Sequence, residues 1–195
     1  MALANSGIAV TLVETDAAAL ERSLAQIDSV YATSVSKGRI TAEQRAASFG
    51  RITGKVGLDA FASVDLVIEA VFEDMALKQQ IFADLDRLCR PGAILATNTS
   101  ALDIDAIASA TRRPQDVVGL HFFSPAHVMK LVEVVRGTAT APDVLVSSMA
   151  LIKTMRKTGV IAGNCDGFIG NRMLIGYRRE SEFVLLEGAS PAQVD

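Results

Sequence analysis

Short apolar runs alternate with amphipathic stretches along most of the chain, and this alternation restricts the fold more than any other feature of the sequence. Residues 8–13 form a short β-rich apolar run that stops at Glu14, which reads as a buried strand. Leu20, Leu24, Ile27 and Tyr31 then recur at helical spacing, giving one face of a helix. After the break at Lys37–Gly38, Thr41 is placed to cap a second helix running to about Ser48. Two helices in succession read as an inserted helical arm. The rhythm resumes with a strand over 66–71 and a helix capped by Asp74, with Leu77, Ile81, Leu85 and Leu88 on its core face. A strand over 93–97, a helix over 103–110 and strands over 117–122 and 131–135 follow. A helix over 143–155, a short strand over 160–162 and a long helix from Gly167 to about Gly188, capped by Asp166, complete the pattern. Alternation of this kind predicts an α/β fold with a doubly wound parallel sheet, the Rossmann type.

The opening MALANSG reads as the last turns of a helix stopped by Gly7. Doubly wound dinucleotide folds begin with a strand and a GxGxxG turn leading into such a helix. No GxGxxG occurs in this chain, so a sheet lacking its first strand and glycine loop is expected, with a vacancy at its centre. At the other end, Ser190–Pro191 is a helix-start signal just before the sequence stops. The expected organisation is a dinucleotide-binding domain over 1–165, incomplete at its N-terminus. Residues 166–195 are expected to begin an all-α C-terminal domain, of which this chain holds the first helix.

Composition excludes several classes. The net charge of −3 comes without a basic cluster, which argues against a nucleic-acid surface. Two cysteines without CxxC spacing do not make a disulfide framework or a zinc ribbon. The opening residues lack the basic region of a signal peptide, and the longest apolar runs, such as LVIEAVF, are too short to span a bilayer. A soluble cytoplasmic or organellar-matrix enzyme is the expected class, with neither nucleic acid nor membrane as partner.

Several side chains are candidates for chemistry. Glu14 ends its strand where a carboxylate can accept hydrogen bonds from the ribose hydroxyls of a dinucleotide and repel a 2′-phosphate, which favours NAD over NADP. His121 ends one strand and Glu133 lies in the next. Side by side they would form a general base, the carboxylate fixing the tautomer of the imidazole. A satisfied core histidine beside a half-buried glutamate explains the same residues. Ser100 can bond a substrate oxygen or cap the helix after it, and Asn171 can donate to a substrate or to local backbone. Glu73 and Lys78 flank a helix start, where most charges are solvated. His127 stands in a loop with no cysteine nearby, so no metal site is expected.

Taken together, IEAVFEDMALKQQIF, ATNTSALDI, GLHFFSPAHVMKLVEVV and GNCDGFIGNRML closely resemble the L-3-hydroxyacyl-CoA dehydrogenase family in content, order and spacing, across essentially the whole chain. HFFSPAHVMKLVEVV, with the arm SVSKGRIT, is more similar to the dehydrogenase part of multifunctional fatty-acid oxidation enzymes. The short single-function enzymes usually carry Asn where this chain has Ser124. The resemblance implies NAD-dependent oxidation of L-3-hydroxyacyl-CoA to 3-ketoacyl-CoA, with His121 as general base oriented by Glu133. It implies that Ser100 and Asn171 bind the substrate around the reacting oxygen. Glu14, Glu73, Lys78 and Ser100 line the cofactor site. An acyl-CoA substrate, and either a homodimer or a multifunctional-enzyme setting, are implied as partners. Without a glycine loop, weak or absent NAD binding and an inactive piece are expected. Two other readings stand beside this one. A β-hydroxyacid dehydrogenase usually carries a catalytic lysine on the interdomain helix, where GFIGNRMLIGYRRE has none. A non-catalytic CoA-binding or structural remnant of such an enzyme is favoured by the missing loop.

Overall fold

The computed structural model describes residues 1–195. Its elements are α1 (Ala2–Asn5), β1 (Val10–Glu14), α2 (Ala17–Ser36), α3 (Ala42–Phe49), β2 (Ile52–Val56), β3 (Leu66–Glu69), α4 (Met75–Leu88) and β4 (Ile94–Thr97). There follow α5 (Ile104–Ala108), β5 (Val117–Phe122), β6 (Leu131–Arg136), α6 (Pro142–Thr154), β7 (Thr158–Gly163), α7 (Gly170–Leu186) and α8 (Pro191–Val194).

Local chemistry explains most boundaries. Asp16, Thr41, Asp74 and Asp103 cap α2, α3, α4 and α5, each side chain accepting a backbone amide of the first turn. Thr41 and Gln44 close a reciprocal capping box. Gly7, at φ 85°, ends α1 in the left-handed conformation that glycine adopts without strain. The helical arm is the crossover between β1 and β2. Its helices are tied by a bidentate Arg45–Asp28 pair and an edge-on Tyr31–Phe49 contact.

Three features depart from the sequence expectation. The first is strand β2, hidden in ITGKV, a run too polar and too close to glycines to carry an apolar signal. The second is the sheet, which is dominated by parallel pairs but is not wholly parallel. β3, β4 and β5 are parallel neighbours, β6 runs antiparallel to β5, and β7 runs parallel to β6. The connection from Phe122 to Leu131 holds no crossover helix, so the chain can only turn back on itself there. The third is the start of α7. Asp166 does not cap it; the helix begins at Gly170 with Ile169 at the cap position and no side-chain cap from its own segment.

The strands form two hydrogen-bonded groups, β1–β2 and β3–β4–β5–β6–β7. β1 and β3 pair on one side only, each leaving an edge free of backbone partners. The five-stranded sheet is covered on both faces. One face carries Phe82, Leu85, Ile104, Ile107 and Phe168 against Leu95, Val117 and Val135. The other packs Val144, Ile152 and Met155 against Ala96, Val118, Leu120, Val132 and Val134, with Ala2 and Leu3 of α1 against the same cluster. Apolar burial on both faces is why β5 reads as an almost unbroken hydrophobic run. No helix is long and apolar enough to cross a membrane.

Candidate active site

The C-terminal ends of β3, β4 and β5 bring most of the candidate residues to one edge of the sheet. His121 and Glu133 are direct cross-strand partners in the antiparallel β5–β6 pair. His121 Nδ1 lies 2.7 Å from Glu133 Oε2, and both residues are buried. A carboxylate at that distance holds the proton on Nδ1 and turns the lone pair of Nε2 outward. Nε2 has no protein partner, and it is not among the side-chain atoms sealed from solvent without one. Phe123 and Phe168 wall the imidazole, with ring centroids 4.5 and 5.9 Å away.

The other oxygen of Glu133 meets the start of α7. Oε1 accepts the amides of Ile169 at 3.0 Å and Gly170 at 2.8 Å. The helix is therefore capped by a carboxylate from a distant strand, placed at the positive end of its dipole. Gly167 and Phe168 reach this arrangement at φ 67° and 48°. One residue on, Asn171 Nδ2 donates to the carbonyl oxygen of Ser100 at 3.1 Å.

Ser100 joins the second cluster. Glu73 Oε1 accepts the Ser100 amide at 2.8 Å and its hydroxyl at 3.2 Å, and also the Thr99 hydroxyl. Burial by itself would raise the Glu73 carboxyl. The hydrogen bonds from Thr99 and Ser100 and the Lys78 ammonium outweigh it and hold the group below the usual carboxylate range. Asn98 also belongs to this edge, its Oδ1 accepting the Phe122 amide beside His121.

Two further candidates complete the set. Lys78 is 1% exposed and does not line an open surface. Its Nζ lies 2.7 Å from Glu69 Oε1, 3.4 Å from the Val71 carbonyl oxygen and 3.5 Å from Glu73 Oε2. Glu14 lies apart from this cluster, at the end of β1, where Oε1 accepts the Ser23 hydroxyl at 2.7 Å. Glu69 was not singled out from sequence, although a carboxylate inside the apolar strand LVIE signals a buried partner. Thr97, Thr99 and the α7 amides left no such signal. No group of His, Cys, Asp and Glu side chains could hold a metal ion.

Residues 1–165 match the family described as "3-hydroxyacyl-CoA dehydrogenase, NAD binding domain". The chain is 46% identical over its whole length to the peroxisomal bifunctional enzyme of Danio rerio, of which it covers 26%. It is 39% identical to a probable 3-hydroxybutyryl-CoA dehydrogenase of Bacillus subtilis, with 98% of the chain and 67% of that protein aligned. Among solved structures, the (S)-3-hydroxybutyryl-CoA dehydrogenase of Ralstonia eutropha superposes on all of the chain and 69% of its own with a TM-score of 0.96, at 34% identity. The chain thus spans about a quarter of the length of the first curated relatives and about two thirds of the shorter enzymes. On the match over 1–165 and the likeness to these proteins, the chain belongs to the 3-hydroxyacyl-CoA dehydrogenase family and carries its NAD-binding domain.

Proposed function

We propose that this chain supplies the acid–base and cofactor-binding half of an enzyme that oxidises L-3-hydroxyacyl-CoA to 3-ketoacyl-CoA in fatty-acid β-oxidation. The observation that carries the reading is the His121–Glu133 pair, with one imidazole nitrogen on a carboxylate and the other open. Nε2 of His121 takes the proton of the substrate hydroxyl, and Glu133 stabilises the imidazolium that forms. NAD, when bound, supplies the hydride acceptor. The hydroxyl of Ser100 and the amide of Asn171 stand at the same sheet edge and hold the reacting oxygen against Nε2. At the far end, Glu14 has one oxygen on Ser23 and a second without a protein partner, which fits an acceptor for the ribose hydroxyls of NAD. The 46% identity to a bifunctional enzyme supports a multifunctional setting, in a peroxisome-type matrix or a bacterial cytoplasm.

The test places residues 1–195 in a full-length relative in exchange for the matching segment, then follows NADH consumption with acetoacetyl-CoA. The expected result is turnover that falls by about 10²–10⁴-fold in His121→Gln with little change in NADH affinity. Undiminished turnover in that variant would sink the reading.

A further inference from the structure

The segment that joins β5 to β6, residues 123–130, begins with a ring that walls His121. Phe123 lies 4.5 Å from the imidazole between ring centroids, while residues 124–130 are all exposed. An exposed loop has little apolar packing to fix it, so its hydrogen bonds decide its shape. Inside the loop, the amides of Val128 and Met129 both donate to the Pro125 carbonyl. From outside, the bonds come from one corner. The Thr158 amide donates to the Lys130 carbonyl at 2.9 Å. Lys157 Nζ donates to the Ala126 carbonyl at 2.7 Å and to the Met129 carbonyl.

Lys157 stands there because α6 ends sharply. The Arg156 amide donates to the Lys153 carbonyl and the Lys157 amide to the Ile152 carbonyl, at 2.9 and 3.1 Å, the pattern of a left-handed helix stop. Arg156 takes φ 55°, a conformation in which a Cβ crowds the neighbouring carbonyl and which glycine usually fills. β7 then sets Thr158 opposite Leu131, which brings Lys157 level with the end of the loop. A strained turn is thus kept where it aims a cation at two carbonyl groups.

We infer that Lys157 is a positioning residue for the candidate base: its ammonium clamps the carbonyls of Ala126 and Met129, and the loop so held keeps the Phe123 ring against the His121 imidazole. This deepens the reading above and rests on it for the role of His121. Lys157 acts through the loop. With the clamp released, the Phe123 ring turns away and the placement of Nε2 against the substrate hydroxyl loosens.

Lys157→Met tests the clamp. It keeps the length of the side chain and removes its donors, and the freed carbonyls belong to exposed residues that water can reach. Lys157→Arg keeps donors for both carbonyls and serves as the rescue. The readouts are hydrogen exchange of the Val128 and Met129 amides, the ring signals of His121 in NMR spectra, and thermal unfolding. In Lys157→Met, exchange of both amides should be about tenfold faster, as for the loss of one charge-assisted hydrogen bond. The His121 ring signals should move, and Lys157→Arg should restore both. In the full-length frame, kcat should fall about tenfold with NADH affinity unchanged. A lower melting temperature with the loop amides and the His121 ring unmoved assigns Lys157 to stability alone and overturns the inference. So does a released loop with kcat intact, where His121→Gln lowers kcat. Moved signals with kcat unchanged in both Lys157→Met and His121→Gln would uphold the clamp and defeat the functional reading.

Discussion

Glu133 accepts the Gly170 amide at 2.8 Å with the oxygen that does not face His121. One carboxylate thus orients the candidate base and caps the helix that leads out of the NAD-binding domain. His121 and the start of α7 are held to each other through two atoms of one side chain, so movement of α7 is felt at the imidazole.

Exchanging Glu133 for Gln keeps an acceptor for the α7 amides but removes the charge that stabilises an imidazolium. The expected outcome is a fall in kcat of about 10²-fold or more with KM little changed, read as NADH oxidation in the full-length frame described above. A matching rise in KM at constant kcat would assign Glu133 to binding instead.

Gly170→Ala tests the tightness of the same corner. A Cβ there meets Phe123 Cζ at 2.8 Å and Cε1 at 3.1 Å, and Phe123 packs on the His121 ring. The ring must shift, and His121 with it, so kcat should drop by up to about 10²-fold while the Glu133 contact to the α7 amides persists. Stopped-flow single turnovers would separate this loss from slower product release.

Gly119→Ala probes packing at the centre of the sheet, away from the reacting edge. The added methyl lies 2.7 Å from Cβ of Val135, its cross-strand partner, and 3.0 Å from Cδ1 of Ile104. Val135 Cβ is bound to its own backbone and cannot swing aside. Overpacking of about 1–3 kcal/mol is expected, seen as a lower urea midpoint at unchanged slope. An unaltered midpoint would show that β5 and β6 separate freely.

Acid should weaken the fold through several carboxylates, Asp86 and Glu73 among them. Asp86 is a nearly enclosed group whose burial would raise its pKa, but hydrogen bonds and charge from Arg112 and Arg113 outweigh this and lower it. Glu73 is also lowered. A carboxyl with a folded value below its unfolded one stabilises the protein above the unfolded pKa, near 4. That stabilisation is lost as pH falls through the folded value. Urea midpoints taken downward from pH 5 should therefore fall, and Asp86→Asn should flatten the fall. A variant that tracks the unmutated protein throughout this range would remove Asp86 from the account.

Much of the fold was legible because β and α periodicities differ and because caps announce themselves. Thr41 and Asp74, read as caps from the sequence, each begin a helix in the structure, while Asp166 does not. β2 escaped because ITGKV carries neither an apolar run nor clean alternation, and its place comes from pairing in register with β1. The antiparallel turn of β6 escaped because a run of apolar residues looks the same whichever way its strand points.

The sequence by itself determined which residue types are present at the ends of the strands: a histidine closing β5, a carboxylate in β6, and a serine and an asparagine near helix starts. Tertiary structure decided what each of them touches. Reversal of one strand set His121 opposite Glu133, and the approach of α7 gave Glu133 its second task. Enclosure by Glu69, Val71 and Glu73 turned Lys78 from a surface charge into an internal one. The physical reason is that periodicity and capping are local and can be read along the chain. The state and partners of a buried charge depend on groups that only folding brings within about 3 Å of it.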